Sequence, residues 1–231
     1  MDPLPGARLT VINPGPTAPY TGMLPGHVAG HYRRDDLEID LVRLCRHAGA
    51  RLILDRAVGI DRAQRNVILQ GRAPVAYDVA SFDVGITAKL DLPGFAEHGI
   101  RAKPLDTYAA RWRSFLAAAA QGQVAPDVAV IGGGVAGCEL AMAMAFALQA
   151  AGVRPRVTVI ELGPQISGVT RRARQRMLLA MDGLGIVVKT SARVVEVGAD
   201  QLLLDGDEPV AARLCVGAAG GFAHTWIAKT D

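Results

Sequence analysis

A glycine-rich turn between an apolar strand and an apolar helix constrains this chain more than any other feature. The stretch VAVIGGGVAGCELA, residues 128–141, carries the spacing G-x-G-x-x-G at Gly132, Gly134 and Gly137. In a strand–turn–helix unit the first glycine allows a tight turn, the second lets the backbone approach a pyrophosphate, and the third lets helix and strand pack closely. The stretch therefore predicts a dinucleotide-binding unit.

A second apolar strand that ends in an acid supports this interpretation. RVTVIELGP places Glu161 after the strand, where a carboxylate accepts hydrogen bonds from a ribose 2′-hydroxyl and repels a 2′-phosphate. The sequence therefore predicts NADH rather than NADPH. The pyrophosphate is expected on the unpaired N–H groups at the helix N-terminus, at Val135 and Ala136. The alternative is a turn with a structural role alone, but strand, helix, second strand and acid occur here in the expected order.

Composition and charge exclude several other classes of function. The chain has 231 residues, of which 50% are hydrophobic and 20% are charged, and its net charge of +3 is interspersed, so no basic stripe predicts nucleic-acid binding. Three isolated cysteines predict a cytoplasmic protein without a metal site. The N-terminus does not have the pattern of a signal peptide, and Glu139 and Gln149 interrupt the longest apolar stretch, so no transmembrane segment is expected.

The order of predicted elements indicates an α/β fold. From Asp127 onward, strand, helix and strand alternate, which predicts a parallel sheet with helices on its faces. The first half predicts a mixture of strands, helices and turns. ARLTVIN is predicted to be a strand, and a helix is predicted to follow with Asp35 or Asp36 as its N-cap. Strands are predicted in RLILDRAVGIDRAQRNVILQ and YDVASFDVGIT. KLDLPGFAEHGIRAKPLDT is predicted to be a connecting stretch before a helix around YAARWRSFLAAAA.

This order resembles the pyridine nucleotide-disulfide oxidoreductase superfamily, in which a Rossmann-like NAD-binding domain is inserted into a FAD-binding domain. YTGMLPGHVAGHY resembles the flavin-facing segment of the type II NADH dehydrogenase branch, particularly of the oxidoreductase modules fused to selenide, water dikinase. The resemblance implies a partial FAD domain at residues 1–120, an NAD domain at 121–217, and the start of a return to the FAD domain at 218–231.

The resemblance also implies site residues. YDVASFDVGIT resembles a FAD-domain strand with Gly85 at its terminal glycine, and ARLCVGAAGG resembles its counterpart with Gly217. Glu139 is expected to face the nicotinamide by analogy, although an acid near a helix N-terminus also simply complements the helix dipole. The residues expected near the flavin are Tyr20, Met23, Leu24 and Gly85.

The chain departs from the family pattern in two ways. ARLTVIN matches the second FAD-domain strand, and no first strand or glycine turn precedes it. We therefore expect weak FAD binding and an unpaired sheet edge at residues 9–12, through which copies of the chain would associate. No two cysteines are close in sequence, so electrons are expected to pass from NADH through flavin directly to a small-molecule or quinone-like acceptor. The alternative is a nucleotide-binding or partner-binding module without turnover.

Overall fold

The computed structural model describes residues 5–86, 90–102, 105–221, 223–224 and 226–227. The helices are α1 Leu24–Val28, α2 Leu41–His47, α3 Phe95–His98, α4 Leu105–Ala120, α5 Val135–Ala150 and α6 Arg171–Gly183. The strands are β1 Thr10–Asn13, β2 Thr17–Pro19, β3 Glu38–Asp40, β4 Arg51–Leu54, β5 Ala57–Asp61, β6 Asn66–Leu69, β7 Val75–Ala76, β8 Gly99–Arg101, β9 Asp127–Ile131, β10 Arg156–Ile160, β11 Val187–Lys189, β12 Val194–Val197, β13 Gln201–Leu204, β14 Asp207–Ala211 and β15 Leu214–Gly217.

Contacts between elements group the described residues into two compact units. The first unit contains residues 5–20 and 35–86 with the described residues after 222, and the second contains residues 21–34 and the described residues of 90–221. Helices α1 and α4 both pack against α5, which is why they belong to the second unit. The cofactor-domain boundaries at residues 120 and 217 remain a prediction, since compactness divides the chain at other positions.

A five-stranded parallel sheet forms the centre of the second unit. Its strand order is β11-β10-β9-β15-β8. Residues 128–131 and 157–160 pair in parallel in this sheet, which confirms the predicted strand–helix–strand unit. All five residues of β9 are buried, as is typical of a central parallel strand covered on both faces. Asp127 at its start is buried and pairs with Arg156 at the start of β10, where Arg156 Nη2 donates to Asp127 Oδ2 at 2.6 Å.

The two faces of this sheet are covered differently. Helix α5 packs on β9 and β10, as predicted. The other face is covered by the antiparallel meander β12-β13-β14, so the prediction of helices on both faces was wrong there. Because side chains alternate along a strand, Ala129 and Ile131 of β9 point to one face. They join a buried apolar cluster with Val194, Val197, Leu202, Leu204 and Val210 of the meander.

Two aromatic side chains of α4 form hydrogen bonds to neighbouring helices of the second unit. The Nε1–H of Trp112 donates to the carbonyl oxygen of Val28 in α1 at 3.1 Å, and the hydroxyl of Tyr108 donates to the sulfur of Met144 in α5 at 3.5 Å. Both aromatic residues are almost fully buried. Burial also raises the pKa of the Tyr108 hydroxyl well above its ordinary value. These two bonds therefore link α4 to α1 and to α5.

The first unit is built from three small sheets. Strands β1 and β4 form a parallel pair, β2 and β3 form an antiparallel pair, and β5, β6 and β7 form an antiparallel meander. Among the described strands, β1 pairs with β4 alone, and Leu9 just before it is 56% exposed. The edge that the sequence predicts at residues 9–12 is therefore present.

Three local predictions for the first 120 residues were wrong. Asp40, not Asp35 or Asp36, caps α2, because its Oδ1 accepts the N–H of Arg43 at 2.9 Å. Residues 77–86 of YDVASFDVGIT form no strand, since no described strand pairs with them. The predicted connecting stretch contains α3 and β8, and β8 pairs with β15 at the edge of the central sheet.

No helix among the described residues is long and apolar enough to cross a membrane. The same residues contain no group of three or more histidine, cysteine or acidic side chains placed to hold a metal ion.

Candidate dinucleotide-binding site

The three motif glycines lie where β9 turns into α5, and two of them are required by close backbone approaches. Gly132 has φ +113°, and a Cβ there would lie 2.8 Å from the backbone nitrogen of Ala219. A Cβ on Gly137, in the first turn of α5, would collide with the carbonyl oxygen of Gly132. Both positions therefore exclude a side chain unless the backbone shifts.

Gly134 differs from the other two glycines because a side chain there would meet no backbone atom within 4 Å. A Cβ there would meet nothing nearer than Ser167 Oγ, at 3.9 Å. Its backbone is extended, with φ −75° and ψ 174°, and it is the N-cap residue of α5. The first N–H groups of a helix, here those of Val135 and Ala136, have no partner inside the helix. Room beside Gly134 and donors directed out of the helix together fit a phosphate group.

The carboxylate of Glu161 lies against the same turn. Its Oε2 accepts the N–H of Gly133 at 2.7 Å, and its Oε1 accepts the N–H of Gly163 at 2.7 Å. A carboxylate has about four lone-pair sites, so two remain for other donors. The side chain is half-buried, and its remaining lone pairs suit the hydroxyl groups of a ribose. The structure brings Glu161 and the glycine turn together, and their binding of one nucleotide remains a prediction.

Glu139 lies on the exposed side of α5, one turn into the helix. It lines an open groove between α5 and α6. The other residues that line the groove are Met142, Thr170, Arg172, Ala173, Arg176 and Met177. The groove places arginine side chains on the same surface as Glu139, which the sequence did not indicate.

The residues expected near a flavin are found in both units. Tyr20 is 55% exposed in the first unit, and Gly85 in that unit has φ +73°. In the second unit Met23 is half-buried, and Leu24 is buried in the core at the start of α1. Gly217 is buried at the end of β15, where a Cβ would lie 2.6 Å from the ring of Phe95. Packing therefore accounts for Leu24 and Gly217, and their contact with a flavin remains a prediction.

All three cysteines are buried and free. Burial, together with the negative charges of Glu161 and Glu139, raises the pKa of the Cys138 thiol to about 11. Burial also raises the pKa of Cys215 to about 12. The thiol of Cys138 donates to the carbonyl oxygen of Gly133 at 3.7 Å, beneath the glycine turn. These thiols have the environment of packing residues, as the sequence suggests.

The folded protein is expected to resist thiol alkylation at pH 8, because thiols with raised pKa contain little of the reactive thiolate. Mass spectrometry after a short exposure to iodoacetamide should find Cys138 and Cys215 unmodified, and both should react fully once the protein is denatured in urea. Rapid modification of Cys138 in the folded protein would contradict the buried position of its thiol.

The loop after Glu161 was missed by sequence reasoning. Ser167 N–H donates to the carbonyl oxygen of Gly133 at 3.0 Å, and Arg174 of α6 donates through Nε to the carbonyl oxygen of Ile166 at 3.0 Å. The signal in the sequence was the pattern GPQISG, whose glycines and proline indicate an irregular segment but not its partners.

Several solved structures superpose closely on this chain. The sulfide:quinone oxidoreductase from Aquifex aeolicus superposes with a TM-score of 0.82 at 18% identity, over 99% of this chain and 56% of its own. NDH2 from Plasmodium falciparum, solved in complex with NADH, gives 0.79 at 18% identity, over 96% of this chain and 52% of its own. A NAD-dependent persulfide reductase from A. fulgidus superposes with a TM-score of 0.77 at 21% identity, over 97% of this chain and 43% of its own.

This chain thus spans about half the length of the solved proteins that it resembles. No curated protein sequence matches it. The sequence model of the family described as pyridine nucleotide-disulphide oxidoreductase matches residues 4–230, nearly the whole chain. The superfamily resemblance seen in the sequence is confirmed, and the chain belongs to the pyridine nucleotide-disulphide oxidoreductase family.

Proposed function

We propose that the protein is an NADH-dependent flavin oxidoreductase of the type II NADH dehydrogenase-like branch. It passes electrons from NADH through FAD to a small-molecule or quinone-like acceptor. The observation that carries the proposal is the Glu161 carboxylate, which lies within hydrogen-bonding distance of the glycine turn and retains lone pairs for a ribose. Family membership supports nicotinamide and flavin nucleotides as the cofactors.

Each residue of the nucleotide site has a proposed task. Gly134 and the N–H groups of Val135 and Ala136 bind the pyrophosphate, while Gly132 and Gly137 keep the turn and helix in place for it. Glu161 accepts hydrogen bonds from the adenosine ribose. Its charge also disfavours a 2′-phosphate, which gives a preference for NADH over NADPH. Glu139, exposed at the groove beside α6, is proposed to face the nicotinamide.

A flavin site is the second part of the proposal. FAD, when bound, supplies the ability to accept a hydride from NADH and to pass electrons onward. Proposed FAD contacts are Tyr20, Met23, Leu24, Gly85 and Gly217, in the partial FAD domain of residues 1–120 and at the boundary after residue 217. The buried, free cysteines support transfer to the acceptor without a disulfide relay.

Two further properties belong to the proposal. Isolated free cysteines support a cytoplasmic location. The exposed edge of β1 supports association of two copies, because an unpaired strand edge presents free N–H and C=O groups. Sedimentation of the purified protein tests the second property.

Replacing Glu161 with glutamine tests the nucleotide assignment. The change should lower the ratio of NADH affinity to NADPH affinity by at least about tenfold, because a charge-assisted hydrogen bond contributes about 1.5 to 3 kcal/mol. Glu208→Gln is the matched control, since Glu208 is an exposed acid on β14, and its change should leave both affinities unaltered. Calorimetric titration of both variants and the native protein with each nucleotide provides the measurement.

Two outcomes would contradict the assignment. One is native protein that binds NADPH at least as tightly as NADH, and the other is an equal effect of both substitutions.

The absorption spectrum of the purified protein then separates the two classes of function. Flavin absorbance supports the oxidoreductase, whereas a colourless protein that still binds NADH supports a binding module without turnover.

A further inference from the structure

The loop of residues 162–170, between β10 and α6, covers the glycine turn and is anchored at several points. At its start, Gly163 donates to Glu161, and the N–H of Ser191 donates to the carbonyl oxygen of Gly163 at 2.7 Å. Near its middle, the side chain of Ile166 is 1% exposed. The loop is therefore held in one conformation from both the strand side and the core.

Arg174 of α6 anchors the same loop from the other side. Its Nε–H donates to the carbonyl oxygen of Ile166 at 3.0 Å, and its Nη1–H donates to Gln165 Oε1 at 2.6 Å. The side chain is half-buried, and α6 itself begins at a Thr170 cap whose Oγ1 accepts the N–H of Ala173. The guanidinium thus bonds the loop through two separate nitrogens, which its fixed fork geometry permits.

These contacts connect Arg174 to the glycine turn through two peptide groups. The first peptide joins Ile166 to Ser167: its C=O accepts from Arg174, and its N–H donates to the carbonyl oxygen of Gly133 at 3.0 Å. The second peptide joins Gly133 to Gly134. In a planar trans peptide the C=O and N–H point in opposite directions. The bond to Gly133 O therefore fixes the Gly134 N–H on the side away from the loop.

The Gly134 N–H has no hydrogen-bond partner within the part of the chain that the structure describes. A Cβ on Gly134 would have one neighbour within 4 Å, Ser167 Oγ at 3.9 Å, so the space beside this residue is not filled by backbone. Hydrogen bonds in a chain polarise one another, and a positive guanidinium at the start of the chain strengthens the final N–H as a donor to an anion.

We propose that Arg174 is a positioning residue of the nucleotide site, which acts through the Ile166–Ser167 and Gly133–Gly134 peptides to orient and polarise the Gly134 N–H toward the pyrophosphate of a dinucleotide. The inference rests on the proposed function. It adds to it a residue more than thirty positions beyond the glycine motif, whose proposed action passes through two backbone peptide groups.

Arg174→Met tests the inference, because methionine keeps an apolar stem and removes both bonds to the loop. Its matched control is Arg171→Met, which removes an equal charge from an exposed position on the same helix. Calorimetric titrations use NADH, ADP-ribose and adenosine. For Arg174→Met we expect the affinity for NADH and for ADP-ribose to fall about tenfold, or about 1.4 kcal/mol. Adenosine, which lacks the pyrophosphate and binds through its ribose and base, should be unaffected.

If Arg174 had only a structural role, Arg174→Met would lower the affinity for all three ligands equally, and that result would overturn the inference. Equal binding of NADH to the native protein and to Arg174→Met would also overturn it, while leaving the proposed function intact. If the native protein binds neither NADH nor ADP-ribose, the proposed function falls together with the inference.

A second variant and a second readout keep the test decisive if Arg174→Met folds poorly. Arg174→Lys keeps the positive charge but replaces the planar guanidinium with a single ammonium group. We expect its affinity for NADH to fall about threefold. The amide proton resonance of Gly134 in the nucleotide-free protein should shift in Arg174→Lys and stay in place in Arg171→Met. An unmoved Gly134 resonance in Arg174→Lys would show that the two peptide groups do not carry the effect.

Discussion

Alanine at Gly137 is expected to lower the free energy of unfolding by about 3 kcal/mol, whereas alanine at Gly134, the N-cap of α5, should lower it by less than about 1 kcal/mol. The Cβ at Gly137 would collide with the carbonyl oxygen of Gly132, and it would also lie 3.3 Å from the Cβ of Ala218. A backbone atom cannot rotate away, so helix α5 must shift from β9, and overpacking of this kind costs about 1 to 3 kcal/mol or more. The helix propensity gained from alanine, about 1 kcal/mol, does not offset it.

The two glycines should separate stability from binding. Gly134→Ala adds a methyl group whose nearest neighbour is Ser167 Oγ at 3.9 Å and keeps an extended backbone, so urea unfolding should show only a loss of less than about 1 kcal/mol for alanine in place of glycine at an N-cap. The same methyl group would occupy the place proposed for the phosphate, so NADH affinity should fall about tenfold, or about 1.4 kcal/mol. Equal stability of Gly137→Ala and Gly134→Ala would show that the turn is not packed as described.

Removal of the Trp112 side chain is the second large effect, with an expected loss of about 3 to 5 kcal/mol for Trp112→Ala. The ring is 2% exposed, and it packs beside Phe115 with ring centroids 6.1 Å apart. A cavity of this size between α1 and α4 would not be filled by relaxation of the neighbouring helices.

Trp112→Phe divides this effect into its parts. Phenylalanine keeps much of the apolar contact but lacks the N–H that donates to Val28 O. Loss of this hydrogen bond should lower the free energy of unfolding by about 1 kcal/mol, in addition to the effect of the smaller ring. Urea unfolding followed by circular dichroism measures both variants. If Trp112→Phe were as damaging as Trp112→Ala, the hydrogen bond rather than the buried ring would hold α1 in place.

The sequence predicted well those features that are encoded in a few adjacent residues. The G-x-G-x-x-G spacing placed the turn, and the apolar runs on either side of α5 predicted the pairing of β9 with β10. The collision that excludes a side chain at Gly137 is local, because it is with Gly132 of the same turn, whereas the collision at Gly132 is with Ala219, which follows β15.

Features that depend on distant partners were beyond the sequence. Strand β8 has only three residues and exists because β15 lies beside it, more than a hundred positions later. The residues of the meander β12-β14 alternate weakly, and only the apolar face of the sheet that they cover explains their arrangement. For the same reason Ser167 and Arg174 gave no signal. Ser167 bonds through its backbone N–H, which every residue except proline has, and Arg174 bonds to a backbone carbonyl, which no particular residue type marks.

The strand order of the central sheet bears on how the chain folds as it leaves the ribosome. Strand β15 lies between β9 and β8, yet it is the last strand of the sheet to be made. Until residue 217 has emerged, β8 has no neighbour and β9 has one free edge, although both were synthesised long before. Non-local pairings of this kind slow folding, and free edges in a nascent chain invite contacts with other chains. Completion of this sheet is therefore a late event of synthesis, and ribosome-bound chains that end before Leu214 should be the ones that engage chaperones.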